Sequence, residues 1–192
     1  MARNKQPEQP EEKLSSGDSL KVDLYFWLQA LVMALVVLIL VFTLVGRIIG
    51  VDGSSMVPTL HDNDMLILQS MGYEPRRNDV VVLTKESFSD QPIVKRVIAV
   101  GGQTVDIDYS TGTVYVDGEA LDEPYINEFM LDQGPETYTH VEVPEGYIFV
   151  MGDNRNHSTD SRFPRIGLVD ERCVLGRALV VLLPFQNFGA IR

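Results

Sequence analysis

One cysteine in 192 residues excludes an internal disulfide. That residue, Cys173, has no metal-ligand spacing around it, and beside Val174 and Leu175 it reads as a small buried hydrophobe. The three histidines, His61, His140 and His157, are scattered and outline no zinc motif. Basic residues are scarce too: 16 Lys and Arg against 27 Asp and Glu give a net charge of -11. No basic stripe is left to neutralise phosphates, so nucleic acid is not an expected partner. The deficit is complete between Asp106 and Glu145, which hold eleven acidic residues and no Lys or Arg. This stretch, about 106–145, reads as an excursion from the core sheet, most simply a solvated hairpin and loop, with an acidic docking surface as the alternative. Internal repeats are absent.

Long apolar runs are absent as well, with one exception. Leu24 to Gly46 is 23 residues without a charge, dense in Leu, Val and Ala, and spans roughly 34 Å as a helix against about 30 Å of hydrocarbon. Residues 24–46 are therefore expected to form a single transmembrane helix, with Tyr25 and Trp27 at the headgroup level. A cleaved signal peptide would carry a shorter apolar region ending in a small-x-small site, and Val45-Gly46-Arg47-Ile48 offers none. Residues 1–23 are rich in Pro, Glu, Lys, Ser and Gly and read as a disordered tail. Arg3, Lys5, Lys13 and Lys21 precede the helix and only Arg47 follows closely, so the N-terminus is expected in the cytoplasm and residues 47–192 outside it.

Beyond the helix there is no long 3.6-residue periodicity. Short apolar runs take its place: 65–68, 79–83, 93–100, 104–109, 113–116, 147–151 and 175–183, all expected as strands. Ser110-Thr111-Gly112 and Asp117-Gly118 suit hairpin turns. The predicted fold is mostly β, an antiparallel sheet domain forming a partly closed barrel or sandwich behind one N-terminal membrane helix. The run Ala178 to Phe185 is too short for a second span and is ended by Pro184.

Three segments could carry chemistry. In Val51-Asp52-Gly53-Ser54-Ser55-Met56-Val57-Pro58-Thr59-Leu60, a serine before a Met-x-Pro turn is either a nucleophile or an ordinary loop residue. Lys95 lies within the apolar strand Ile93 to Val100, on the face shared with Ile93, Val97 and Ala99. Desolvation there favours the neutral amine, which at an ordinary lysine pKa is only about 0.04% of the population at pH 7. From the strand alone the simpler reading is that Lys95 snorkels from a sheet edge, and alternation does not choose between it and Arg96. A nucleophile beside it would reverse that reading, because a neutral lysine amine activates serine. The third segment, Gly152-Asp153-Asn154 through Asp160-Ser161-Arg162, is a polar run suited to tight turns or to supporting a site.

Together these blocks, with Arg77-Asn78-Asp79-Val80-Val81-Val82 and Lys95-Arg96-Val97-Ile98-Ala99, resemble the bacterial type I signal peptidases, in their Gram-positive form. The resemblance implies a membrane-bound serine endopeptidase at the plasma membrane that removes signal peptides from exported preproteins. It implies Ser55 as nucleophile and Lys95 as general base, with Ser158 hydrogen-bonded to the lysine amine and Asp160 and Arg162 as a structural ion pair. Asp153 and Asn154 are expected to stabilise turns. Val51, Met56, Leu60, Ile93 and Val94, which flank the dyad, are the candidate substrate pocket. No metal or organic cofactor is implied; the expected partners are signal peptides, the lipid bilayer and the secretion machinery. Two departures stand out: Gly53 replaces a serine whose hydroxyl helps bind the oxyanion in Gram-negative members, and Asn78 stands where the family often has glycine. The alternatives are a self-cleaving or regulator-cleaving Ser-Lys protease and a non-catalytic anchored β domain that binds export partners.

Overall fold

A computed structural model describes residues 16–44, 47–85 and 88–191. The chain divides into two compact units, Met1–Val41 and Phe42–Arg192. The first contains most of helix α1 (Ser16–Leu44), whose stretch Leu20–Ile39 has a mean hydropathy of 2.2 and is exposed throughout. By length and composition α1 can cross a membrane. Residues 16–23 of the expected tail are helical, since a nucleated helix gains a backbone hydrogen bond for each residue it adds. Residues 1–15 of that tail, and 45–46 of the expected span, lie outside the described residues.

The second unit is built of strands β1 (Arg47–Gly50), β2 (Met65–Gln69), β3 (Val80–Lys85), β4 (Ser89–Val100), β5 (Thr104–Asp108), β6 (Thr113–Val116), β7 (Glu119–Ala120), β8 (His140–Glu142), β9 (Tyr147–Met151), β10 (Val169–Asp170), β11 (Val174–Leu183) and β12 (Gly189–Ala190). They form two sheets, antiparallel at every pairing: one ordered β1-β2-β11-β3-β4-β9-β10 with β12 on β11, the other β7-β6-β5-β8. Each expected apolar run lies on one of the longer strands. The unexpected strands β1, β7, β8, β10 and β12 are two to four residues long, too short to show alternation. At the β6–β7 turn, Asp117 and Gly118 have φ of 54° and 81°, the paired positive values of a two-residue hairpin.

The acidic stretch is largely this second sheet, and beneath its exposed carboxylates lie buried apolar side chains. Val105, Ile107, Val114, Val116 and Met130 pack with Ile98, Ala99, Phe149 and Met151 of the main sheet into one core cluster. Glu123 is half-buried, with its side chain 6% exposed and paired with Arg155, whose two terminal nitrogens lie 3.0 and 2.5 Å from its carboxylate. The excursion thus folds back on the polar run that follows β9. Cys173 is half-buried at the rim of a separate cluster around Val81, Leu83, Val97 and Ile148.

Candidate active site

Register brings the candidate residues together. β3 pairs Val81 with Lys95 and Val80 with Arg96, while β4 pairs Arg96 with Met151, so the chain leaving β9 at Gly152 emerges beside both cations. The loop between β1 and β2 is seated by Val51, Met56 and Leu60, which pack with Leu66, Leu68, Val80, Val82 and Val94. Its backbone is closed by hydrogen bonds from Val51 N–H to the Asp64 carbonyl (2.8 Å) and from Leu60 N–H to the Met56 carbonyl (2.9 Å). Ser55 is thereby presented, half-buried, next to β4.

Lys95 is 4% exposed, and its Nζ lies 2.8 Å from Ser55 Oγ and 2.9 Å from the Val94 carbonyl oxygen. Among the described residues no carboxylate is within ion-pair distance of it. Burial lowers its pKa to about 8; the charges of Asp160 and Asp153 pull it back up and that of Arg162 pushes it down. Arg96 is equally buried but has different partners. Its Nε and Nη2 grip Asp153 at 2.8 and 2.7 Å, its Nη1 donates to the Asn78 carbonyl at 2.9 Å, and its guanidinium lies 3.9 Å over the Tyr125 ring. Lys95 and Arg96, which alternation does not distinguish, thus differ in their partners.

The run after β9 backs the serine loop. Asn154 N–H donates to the Ser55 carbonyl and Asn154 Nδ2 to the Ser54 carbonyl, each at 3.0 Å. A Cβ on Gly152 would sit 2.3 Å from Ser158 Oγ and 2.5 Å from the Ser55 carbonyl oxygen, so only glycine fits there. In front of the dyad opens a cleft of about 220 Å³, lined among others by Val51, Met56, Ile93, Val94 and Thr159. A hydroxyl held on a buried amine with no carboxylate at ion-pair distance, beside an open cleft, is equipped for acyl transfer. Among the described residues no three His, Cys, Asp or Glu side chains converge as metal ligands would.

Residues 24–183 match the family model described as signal peptidase, peptidase S26. The chain belongs to this family. It is 35% identical over 181 residues to a signal peptidase I of Bacillus licheniformis, covering 87% of this chain and 92% of that one. It is likewise 35% identical over 173 residues to a probable signal peptidase I-1 of Synechocystis, covering 84% and 83%. The solved signal peptidase I of Enterococcus faecalis matches with 31% identity and a TM-score of 0.46, over 55% of this chain and 97% of that one.

In this signal peptidase two expected placements differ. Leu60 is fully buried in the core behind the loop and does not line the cleft, whereas Asp52, Phe88, Ser89, Gln91, Pro92 and Thr159, unmarked in the sequence, do. Ser158 Oγ donates to Asp160 Oδ2 at 2.8 Å, and the bonds of Lys95 Nζ go to Ser55 and Val94, so the expected Ser158–Lys95 bond is replaced. Asp160 is the reason. Its carboxylate is fully buried and gathers Ser158, the Gly152 N–H (3.0 Å) and Arg162, whose Nε is 2.8 Å away. Burial alone would raise that carboxyl, but Arg162 and these donors hold it below the usual range. Asn78, in the family's frequent glycine position, has φ of 73°, a left-handed conformation that asparagine tolerates better than most side chains.

Proposed function

We propose that Ser55 is the nucleophile and Lys95 the general base of this peptidase, and that α1 holds it in the plasma membrane with the N-terminus cytoplasmic and the Phe42–Arg192 unit outside. As a type I signal peptidase the chain is a serine endopeptidase that removes signal peptides from exported preproteins. The 2.8 Å contact between Ser55 Oγ and the buried Lys95 amine carries the site assignment. With its pKa near 8, roughly a tenth of that amine is neutral at pH 7.

The neutral amine accepts the Ser55 proton as Oγ adds to the carbonyl carbon of the residue before the cut. The resulting ammonium gives that proton to the departing amine of the mature chain, leaving an ester on Ser55. Water then loses a proton to Lys95 and adds to the ester. Collapse of the second tetrahedral intermediate returns that proton to Ser55 and frees the signal peptide's carboxylate.

Two features support an extended substrate. The β9 side of residues 89–95 has no strand partner among the described residues, so an incoming peptide can pair with that edge. The small cleft admits short side chains and excludes long ones. The bilayer and the secretion machinery are the further partners of this reading.

Ser55→Ala and Lys95→Ala, assayed on a preprotein in detergent, should each abolish cleavage with the circular dichroism spectrum unchanged. Full activity in either variant overturns the assignment.

A further inference from the structure

We infer that Asn154 is a positioning residue that aims the Ser55 backbone N–H at the oxyanion of the tetrahedral intermediates. The inference rests on Ser55 being the nucleophile, as proposed above. A trans peptide unit is planar, with its C=O and N–H pointing in opposite directions. Whatever holds the Ser54 carbonyl therefore fixes where the Ser55 N–H points. Asn154 Nδ2 donates to that carbonyl at 3.0 Å, and the Asn154 N–H holds the next carbonyl, that of Ser55, also at 3.0 Å.

The other donor to the Ser54 carbonyl is Val57 N–H at 3.2 Å, which belongs to the same loop and moves with it. Asn154 is the tie from outside. It is itself fixed, because the neighbouring Asp153 is gripped by Arg96 through two hydrogen bonds. Gly152 lies against the loop from behind, where a Cβ would come within 2.5 Å of the Ser55 carbonyl oxygen.

With its carbonyl turned to Asn154, the Ser54–Ser55 peptide directs its N–H to the opposite side, where it makes no hydrogen bond among the described residues. The Gly53 N–H is not available for that purpose, since it donates to Asp62 Oδ1 at 2.8 Å. Asn154 Oδ1 is buried without a partner, so the side chain is kept for its donor at the expense of its acceptor.

The test uses the full-length protein in detergent, with Asn154→Ala and Asn154→Asp compared against Ser55→Ala. The probes are a preprotein peptide and a peptide aldehyde of the same sequence, whose adduct with the serine is tetrahedral. Misdirecting one oxyanion donor is expected to lower kcat by about 100-fold in both variants, with KM within about twofold. Aldehyde affinity should fall by the same factor as kcat, and in Asn154→Ala, which adds no charge near Lys95, the rising limb of the pH profile should stay in place. In the unmutated protein, the Ser55 amide proton should move downfield when the aldehyde binds, and the Asn154 side-chain amide should resist hydrogen exchange. An unchanged kcat in a folded variant overturns the inference, as does a loss of kcat without a matching loss of aldehyde affinity. So does a Ser55 amide resonance that ignores the aldehyde, a result readable even if both variants misfold. Activity surviving in Ser55→Ala would instead overturn the nucleophile assignment.

Discussion

Two adjacent buried cations of β4 meet different surroundings. Asp153 is bidentate on the Arg96 guanidinium, while among the described residues Lys95 has no carboxylate within ion-pair distance and burial lowers its pKa to about 8. In an unfolded chain the same amine titrates near 10.5, so between about pH 8 and 10.5 the unfolded state binds the extra proton and stability rises with pH. Below pH 8 the full penalty is present, about 3 kcal/mol from the difference of the two values. Lys95→Met is therefore expected to be more stable than the parent at pH 7 by about 1–3 kcal/mol, after allowing for the hydrogen bonds it loses. That advantage should shrink as pH approaches 10 in thermal melts, while kcat/KM of the parent rises with a midpoint near 8. A methionine advantage independent of pH would show that the buried charge is not what is penalised. The partners that distinguish Lys95 from Arg96 lie far along the chain, at Asp153 and Tyr125, which is why alternation on a strand buried on both faces could not separate them. Leu60 illustrates the same limit, since nearness to Ser55 in sequence does not say which way a loop side chain points.

Strands with a local apolar pattern, alternating in β6 and continuous in β9, were readable because their signal is local. What the second sheet and the loop after it attach to was not, because the bond that decides it joins Glu123 to Arg155 across 32 positions. Glu123 is acidic like its neighbours, and composition alone cannot tell a solvated carboxylate from a paired one. Removing it leaves the fully buried Arg155 guanidinium without its counter-charge, at a cost of about 3–5 kcal/mol. Glu123→Ala should lower Tm by about 10 °C. It should also reduce activity, since Arg155 Nε donates to the Gly152 carbonyl at 3.1 Å beside the serine loop. Adding Arg155→Met, which removes the stranded charge, should recover most of the Tm. A single variant as stable as the parent would mean that the pair contributes nothing to holding the excursion down.

At the scale of the whole chain, the most legible element is α1, because the uncharged, mostly apolar run from Leu24 to Gly46 is a one-dimensional signal that no distant partner can alter. Strand order in the main sheet is the opposite case, set by pairings such as β2 with β11 that join the two ends of the Phe42–Arg192 unit. Orientation across the bilayer is again a matter of sequence: Arg3, Lys5, Lys13 and Lys21 precede the apolar stretch and Arg47 follows it. The net charge of -11 does not enter, since acidic residues contribute little to the choice and long domains translocate largely regardless of charge. In protoplasts, protease added from outside should therefore digest the Phe42–Arg192 unit, while an epitope fused to the N-terminus stays protected until the membrane is opened. Replacing Arg3, Lys5, Lys13 and Lys21 with Gln removes the asymmetry and should leave a mixed population, with preprotein processing falling in proportion to the inverted fraction. Full protection of the Phe42–Arg192 unit in intact protoplasts would reverse the orientation and put the Ser55–Lys95 pair on the wrong side of the membrane for exported chains.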